Sequence, residues 1–167
     1  MNMIRRLALP ACWIAALCLV AHAHADPPAK AVTPAYTVDV YDPERNPADD
    51  LKAAVARAKK EKKRVLVQVG GEWCGWCHRM TKYFADNEKV AAALARDYLI
   101  MKVNYSEENR NEEFLKELPK IPGYPHLYVF DGNGKLLHSQ GTAELEEGKS
   151  YSEEAVLKFL EKWAGEK

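Results

Sequence analysis

One short segment decides the fold of this chain: Glu72-Trp73-Cys74-Gly75-Trp76-Cys77-His78. It follows Arg64 to Val69, a valine-rich apolar run that is typical of a buried strand. Gly70 and Gly71 end this run, and helical spacing of apolar residues then extends from about Cys74 to Ala85. The sequence therefore predicts a strand, a turn and a helix, with two cysteines at the start of the helix.

The start of a helix changes the chemistry of a thiol. Unpaired backbone N–H groups and the positive end of the helix dipole stabilise a thiolate there. Two intervening residues bring the sulfurs of Cys74 and Cys77 within bonding distance, and we expect the first sulfur to be exposed and the second to lie against the helix. We therefore predict a redox-active pair in which Cys74 attacks a disulfide and Cys77 resolves the mixed disulfide.

Other uses of the two cysteines have to be weighed against this one. Cys74 to His78 also match the C-x-x-C-H motif of covalent c-type haem attachment. A second axial ligand is hard to find, because Met80 is too close to His78 and Met101 falls in a predicted core strand. A structural disulfide over so short a loop stabilises little, and a zinc site lacks a second cysteine pair. We predict no cofactor and no metal, with a small c-type cytochrome as an alternative.

The N-terminal residues have the pattern of a secretory signal peptide. Arg5 and Arg6 precede a mostly apolar run from Leu7 to Val20, and small residues occupy the −3 and −1 positions of a cut after Ala25. A transmembrane anchor is the alternative, but the apolar run is short for a membrane span. We predict that residues 1–25 are cleaved and that the mature chain is periplasmic, without stable membrane insertion.

Composition limits the remaining possibilities. Cleavage would leave 142 residues, a size at which one domain buries a substantial core. The chain has 24 basic and 24 acidic residues, so there is no basic excess that would favour nucleic acid or anionic lipid. Cys12 and Cys18 lie in the predicted leader, which leaves Cys74 and Cys77 as the cysteines of the mature chain.

The rest of the chain alternates between strand and helix patterns. Residues 26–35 contain three prolines and predict a flexible linker ahead of a domain at residues 36–167. We predict strands at 36–41, 64–69, 98–103, 126–130 and 135–139, and helices at 48–62, 74–85, from 87, at 109–118 and from 153. Helices between strands require crossover connections, and the late hairpin adds an antiparallel edge, so the sheet is expected to be mixed.

This order of elements, with Trp-Cys-Gly-x-Cys at the first helix after a buried strand and Gly123-Tyr124-Pro125-His126 before a late strand, resembles the thioredoxin superfamily. The longer string Trp-Cys-Gly-Trp-Cys-His is similar to exported thioredoxin-like proteins related to the C-terminal reductase domains of membrane electron transporters. The resemblance covers roughly residues 47–163. It implies an α/β fold, a three-layer α/β/α sandwich with a mixed central sheet.

The resemblance also implies a substrate-binding surface. Pro125 matches the cis-proline that faces the cysteines in this superfamily, the alternative being an ordinary trans turn. Tyr124, the residue before it, would offer backbone hydrogen bonds to a substrate strand. We expect Trp73 to pack against the sheet edge and shield the disulfide, and Trp76 either to contact a partner or to pack in the core. These four residues are the predicted substrate-binding set.

One departure from the superfamily pattern affects proton transfer. Many thioredoxins have a buried aspartate six residues before the attacking cysteine, and Gln68 occupies that position here. Because Gln68 cannot take a proton, proton transfer from Cys77 must use water or another group, and Glu72, which is nearby in sequence, is the candidate residue.

The function predicted from sequence is an exported thiol–disulfide oxidoreductase. Its partners would be protein thiols and disulfides, together with a membrane or periplasmic redox partner as electron donor. The dipeptide Gly75-Trp76 lacks the histidine found in strong oxidants, which favours a reductant. A non-catalytic thioredoxin-fold binding module is the second alternative.

Overall fold

The computed structural model describes residues 32–165 of the chain. The predicted signal peptide, residues 1–25, lies outside the described residues, and so do residues 26–31 of the predicted linker. Within residues 32–165, no helix is both long enough and apolar enough to cross a membrane.

A five-stranded mixed sheet runs through the middle of the fold. Its strands are β1 (Tyr36–Val38), β2 (Arg64–Gly70), β3 (Tyr98–Asn104), β4 (His126–Phe130) and β5 (Leu136–Gly141). Their spatial order is β1-β3-β2-β4-β5. Strands β1, β3 and β2 are parallel, β4 is antiparallel to β2, and β5 is antiparallel to β4. Because β2 lies between β3 and β4, Gln68 is paired with Lys102 on one side and with Leu127 on the other.

Helices cover both faces of the sheet. They are α1 (Pro47–Glu61), α2 (Gly75–Asp86), α3 (Glu88–Asp97), α4 (Glu112–Leu115) and α5 (Glu153–Trp163). Side chains of α1 and α4 pack with Val65 and Val67 of β2 on one face, and side chains of α2, α3 and α5 pack with Leu66 on the other. This alternation is what a strand buried on both faces requires, and it gives the predicted three-layer α/β/α sandwich.

Asparagine side chains start two of the helices. Asn46 Oδ1 accepts a hydrogen bond from the N–H of Ala48 at 3.0 Å, and Pro47 fills the first helical position. Asn87 ends α2, and its Oδ1 accepts a hydrogen bond from the N–H of Val90 at 3.0 Å, which starts α3. Both helix starts agree with the predictions from sequence.

The polar helix predicted at 109–118 is wrong in extent, because only Glu112–Leu115 is helical. Asn109 Oδ1 accepts a hydrogen bond from the N–H of Asn111 at 2.8 Å, and Asn111 Nδ2 donates one to Asn104 O at 2.7 Å. These side chains compete with the helical hydrogen bonds for backbone partners, and Asn111 takes up a left-handed conformation with φ of 49°. The segment is therefore mostly loop.

Two other regions differ from the sequence patterns. The strand predicted at 36–41 ends at Val38, after which the chain leaves the sheet and buries Tyr41 against the cysteines. Between β5 and α5, a 3-10 turn (Thr142–Leu145) leads into a short hairpin of β6 (Glu146–Glu147) and β7 (Ser150–Tyr151), which no sequence pattern predicts. Both segments pack around the N-terminal end of α2.

Candidate active site

The two cysteines lie where β2 gives way to α2. Cys74 is the N-cap of α2, with extended backbone angles, and it forms a disulfide with Cys77 in the first turn. The N–H of Cys77 donates a hydrogen bond to Cys74 Sγ at 3.1 Å. A sulfur in this position interacts with the unpaired amides of the helix start, which is the arrangement that stabilises a thiolate.

The exposure of Cys74 differs from the prediction. Only 4% of the residue is exposed, and Cys77 is fully buried. Tyr41, Trp76 and Tyr124 pack around the pair and leave a small opening. Sequence spacing predicts which cysteine lies nearer to the surface, but it does not show that Tyr41 and Tyr124, from two distant parts of the chain, cover it together with Trp76.

Gly70 and Gly71 have steric roles beyond ending the strand. A Cβ on Gly70 would lie 2.4 Å from Cys77 Sγ, and a Cβ on Gly71 would lie 2.4 Å from Trp73 Nε1. Side chains cannot approach that closely, so each position requires glycine for the site to keep this shape. The adjacent glycines before Trp73 are the sequence signal that marks these close approaches.

Trp73 forms the outer wall of the site. The residue is 58% exposed, and whether it shields the disulfide stays a prediction. The indole N–H donates a hydrogen bond to Tyr105 O at 2.7 Å, and the ring meets Tyr124 edge to face at a centroid distance of 5.5 Å. Tyr105 in turn stacks on Tyr124 at 4.9 Å. The hydrogen bond and the two ring contacts hold an exposed aromatic surface beside the disulfide.

Trp76 lies on the opposite side and is partly buried. Its ring packs edge to face on Tyr151 at 5.6 Å, and the Arg79 guanidinium stacks on it at 4.3 Å. The Tyr151 hydroxyl donates a hydrogen bond to Trp76 O at 3.2 Å. The short hairpin of β6 and β7 therefore positions Trp76, whose ring packs against the core and remains partly exposed.

The loop before β4 completes the opening. The peptide bond between Tyr124 and Pro125 is cis, as the resemblance implies. Thr142 Oγ1 donates a hydrogen bond to Pro125 O at 2.7 Å, so the 3-10 turn after β5 holds this loop in place. His126, which follows, is buried, and this burial lowers the pKa of its imidazole to about 4, with His138 adding to the effect.

Glu72 and His78 lie together on the outside of the site. Glu72 has a side chain that is 65% exposed, and its carboxylate is 3.4 Å from His78 Nε2. The same ring nitrogen is 2.8 Å from Glu72 O. Burial is the main reason that the pKa of Tyr41 is raised, and Tyr36 and the Glu72 carboxylate add smaller contributions. The role of Glu72 in proton transfer stays a prediction.

Beneath the disulfide lie polar residues on the same sheet face. Gln68 is fully buried, and its Nε2 donates to Cys77 O at 3.4 Å. Opposite Gln68 in the sheet, Lys102 is 9% exposed and its ammonium lies 5.5 Å and 5.2 Å from the ring centroids of Tyr36 and Tyr41. Burial lowers the pKa of Lys102. In the sequence, Lys102 is a single cation within an apolar strand. That pattern does not indicate a functional site, and only the fold shows that Lys102 lies beside Tyr41.

A family model described as Thioredoxin-like matches residues 46–132, slightly more than half of the chain. The chain belongs to the thioredoxin-like family. The matched region runs from the cap of α1 to the turn after β4, and it includes both cysteines and the cis-proline.

Two curated proteins match parts of this thioredoxin-like chain. The thiol:disulfide interchange protein DsbD of Escherichia coli K12 is 29% identical over 87 residues, which are 52% of this chain and 15% of DsbD. Human spermatogenesis-associated protein 20 is 35% identical over 54 residues, which are 32% of this chain and 7% of that protein. The chain therefore corresponds to a small part of the length of either relative.

A solved structure shares the fold. The crystal structure of a disulphide isomerase from Xylella fastidiosa Temecula1 has a TM-score of 0.63 and 24% sequence identity, over 74% of this chain and 96% of that chain. At this identity, the likeness concerns the fold and leaves the activity to be argued from the site.

On this thioredoxin-like scaffold, the Cys74–Cys77 pair has the redox-type arrangement of a thiol–disulfide oxidoreductase. The c-type cytochrome alternative gains no support, because the core is built on a five-stranded sheet and His78 is turned towards Glu72 O. Within residues 32–165, no group of three or more His, Cys, Asp or Glu side chains is arranged to hold a metal ion.

Proposed function

We propose that this protein is an exported thiol–disulfide oxidoreductase that reduces disulfides in protein substrates. The observation that carries this proposal is the Cys74–Cys77 disulfide at the N-terminus of α2, with Cys74 Sγ accepting the N–H of Cys77. A helix start that stabilises the sulfur as an anion supports both attack by Cys74 and its later departure.

The reaction begins from the reduced pair. The Cys74 thiolate attacks one sulfur of the substrate disulfide and forms a mixed disulfide, and the other substrate sulfur leaves as a thiolate that takes up the proton lost by Cys77. The Cys77 thiolate then attacks Cys74 Sγ, which closes the enzyme disulfide and releases the second substrate sulfur, protonated by solvent. Two electrons pass from the enzyme to the substrate.

The surroundings of the disulfide suit an extended polypeptide substrate. A cleft of about 650 Å³ adjoins the site, with Trp73, Tyr105 and Glu72 among its lining residues. A substrate strand along the cis-proline loop would meet the backbone of Tyr124 and the exposed ring of Trp73. Trp76 would contact the substrate from the other side.

The proposed direction of electron transfer and the proposed cellular location rest on sequence features. Gly75-Trp76 lacks a histidine between the cysteines, which favours a reductant, and residues 1–25 have the pattern of a cleaved leader. An exported reductant needs a partner that restores its dithiol after each turnover. The similarity to part of DsbD, a thiol:disulfide interchange protein, supports a membrane or periplasmic redox partner.

Trapping in cells tests the proposal. Cys77→Ala removes the resolving thiol, so Cys74 should accumulate in mixed disulfides that survive alkylation and disappear on reduction. The matched control is the double variant with Cys74→Ala as well, which should trap nothing. Substrate proteins in the adducts, together with loss of at least ~1,000-fold of insulin reduction in Cys74→Ala, would support the reductant. The proposed function would be overturned if Cys77→Ala formed no adducts and if wild type and Cys74→Ala reduced insulin equally.

Fractionation tests the export part separately. We expect the mature protein in the periplasmic fraction, with an N-terminus at Asp26. A full-length chain confined to the cytoplasm would contradict export while leaving the exchange chemistry intact.

A further inference from the structure

Tyr41 is a buried residue whose hydroxyl makes no hydrogen bond within the described part of the chain. The residue is 3% exposed. An unpartnered buried hydroxyl lowers stability. Such a group calls for an explanation, and the neighbouring sulfurs of Cys74 and Cys77 offer one.

Gly70 brings this hydroxyl close to the reacting sulfur. A Cβ placed on Gly70 would lie 2.4 Å from Cys77 Sγ and 3.2 Å from Tyr41 Oη, so both atoms border the space that the missing side chain leaves. Tyr41, Cys74 and Cys77 form one buried cluster. The Gln68 amide, another buried donor beside Cys77, donates instead to the backbone oxygen of Cys77 at 3.4 Å.

The surroundings keep the Tyr41 hydroxyl protonated. Burial is the main reason that its pKa is raised above the usual value, with smaller effects from nearby tyrosines and Glu72. The hydroxyl is therefore available as a hydrogen-bond donor and not as a base. The titratable groups around Tyr41 include Tyr36 on β1, Glu72 before α2, Lys102 on β3 and Tyr151 on β7, and Tyr124 packs against the same cluster. The cleft that Tyr41 lines also contains Tyr105, Glu107, Glu108 and Arg110.

We propose that, when the disulfide is opened, the Tyr41 hydroxyl donates a hydrogen bond to Cys77 Sγ and stabilises the thiolate that resolves the mixed disulfide. This inference rests on the proposed function and assigns a further residue to it. The proton of Tyr41 stays on its oxygen throughout, and the proton of Cys77 leaves as described above. Tyr41 supplies to Cys77 the stabilisation that Gln68, facing the backbone, does not.

The test measures the resolving step alone. Reduced protein is reacted with a nitrothiobenzoate disulfide so that Cys74 carries the aromatic thiol, and release of that thiol by Cys77 is followed against pH. Tyr41→Phe keeps the ring and removes the donor. We expect the midpoint of the pH profile to rise by about one unit, with release about tenfold slower below the midpoint.

Tyr36→Phe is the matched control. Tyr36 also has a buried hydroxyl without a partner in the described residues, and its ring faces the same Lys102 ammonium, but it lies in the neighbouring core cluster. Its profile should coincide with that of wild type. Because Tyr41→Phe removes an unpartnered hydroxyl, the oxidised variant should melt at or above the wild-type temperature.

Two outcomes would overturn the inference. One is a Tyr41→Phe profile that coincides with wild type, and the other is an equal shift in Tyr36→Phe. Either outcome, with wild-type protein still releasing the thiol, would leave the proposed function standing. Failure of wild type to release it would instead count against the oxidoreductase itself.

Discussion

The turn that joins β4 to β5 and the cysteine end of the sheet satisfy their polar atoms very differently. In the turn, Asp131 Oδ1 accepts hydrogen bonds from the N–H groups of Asn133 at 2.8 Å and Lys135 at 2.9 Å, which lower the pKa of Asp131. At the cysteine end, Tyr41 Oη and Gln68 Oε1 are buried without partners among the described residues.

We interpret this difference as a division between an end of the molecule that serves folding and an end that serves disulfide chemistry. A turn closed by its own aspartate stabilises the hairpin and needs nothing else. Buried groups without partners lower stability. Tyr36 Oη and Arg64 Nε are also buried without partners among the described residues, so the assignment of Tyr41 to the chemistry rests on its place beside the two sulfurs. Substitutions at one end at a time separate a loss of stability from a loss of disulfide exchange.

The largest effect is expected for Gly70→Ala at the cysteine end. The new methyl group would overlap Cys77 Sγ, so the strand or α2 must shift, which we expect to lower the free energy of unfolding of the oxidised protein by about 2 kcal/mol. Urea denaturation measures the change, and alkylation of free thiols measures how much disulfide still forms.

Gly75→Ala is the matched control for this substitution. A Cβ on Gly75 meets no other atom within 4 Å, and the position lies in a helix, where alanine is favoured over glycine. Its stability should equal or slightly exceed that of wild type. Equal stability in Gly70→Ala would show that the sulfur is not confined by the missing side chain.

The sequence predicts much of this contrast between the turn and the cysteine end. Glu72 to His78 predict the redox pair, and Asp131 to Gly134 predict the turn, because each pattern acts on its own neighbours. Local chemistry also predicts the starts of α1 and α3, where an asparagine side chain caps the next turn.

What the sequence does not reveal depends on contacts between distant segments. Tyr41 follows a short edge strand and Lys102 belongs to β3, yet the fold brings both to the cysteines. The hairpin that positions Trp76 is also distant in sequence. The sequence places Asn111 in a polar helix. The hydrogen bond from its side chain to Asn104 O exists only in the folded loop, so no sequence pattern predicts it.

An intermediate loss of stability is expected at acidic pH, where the His126 side chain takes up a proton on unfolding. Its Nε2 lies 2.8 Å from Ser139 Oγ, and burial, the main cause, lowers its folded-state pKa to about 4. The unfolded chain then binds more protons between about pH 6.5 and pH 4, so stability falls as pH falls through that window. Between pH 7.5 and 5.5 this residue alone should lower the free energy of unfolding by about 1.3 kcal/mol.

Urea denaturation of wild type and His126→Phe across this range measures the contribution. As the pH falls, the free energy of unfolding of wild type should decrease relative to that of His126→Phe, because phenylalanine takes up no proton. Parallel curves would mean that His126 is protonated as readily in the folded protein as in the unfolded chain.

The smallest effect is expected at the turn, from Gly134→Ala. Gly134 has φ of 82°, a conformation that strains any residue with a Cβ, while the added methyl group would meet Val55 only at an ordinary 3.8 Å. We expect a loss of about 1 kcal/mol in the free energy of unfolding, with insulin reduction and the pH profile of the resolving step unchanged. Urea denaturation beside Gly75→Ala, which has neither strain nor a new contact, isolates the conformational cost. A clear loss of disulfide exchange in Gly134→Ala would show that the turn and the cysteine end are coupled through β4, and the division between a folding end and a chemical end would then be wrong.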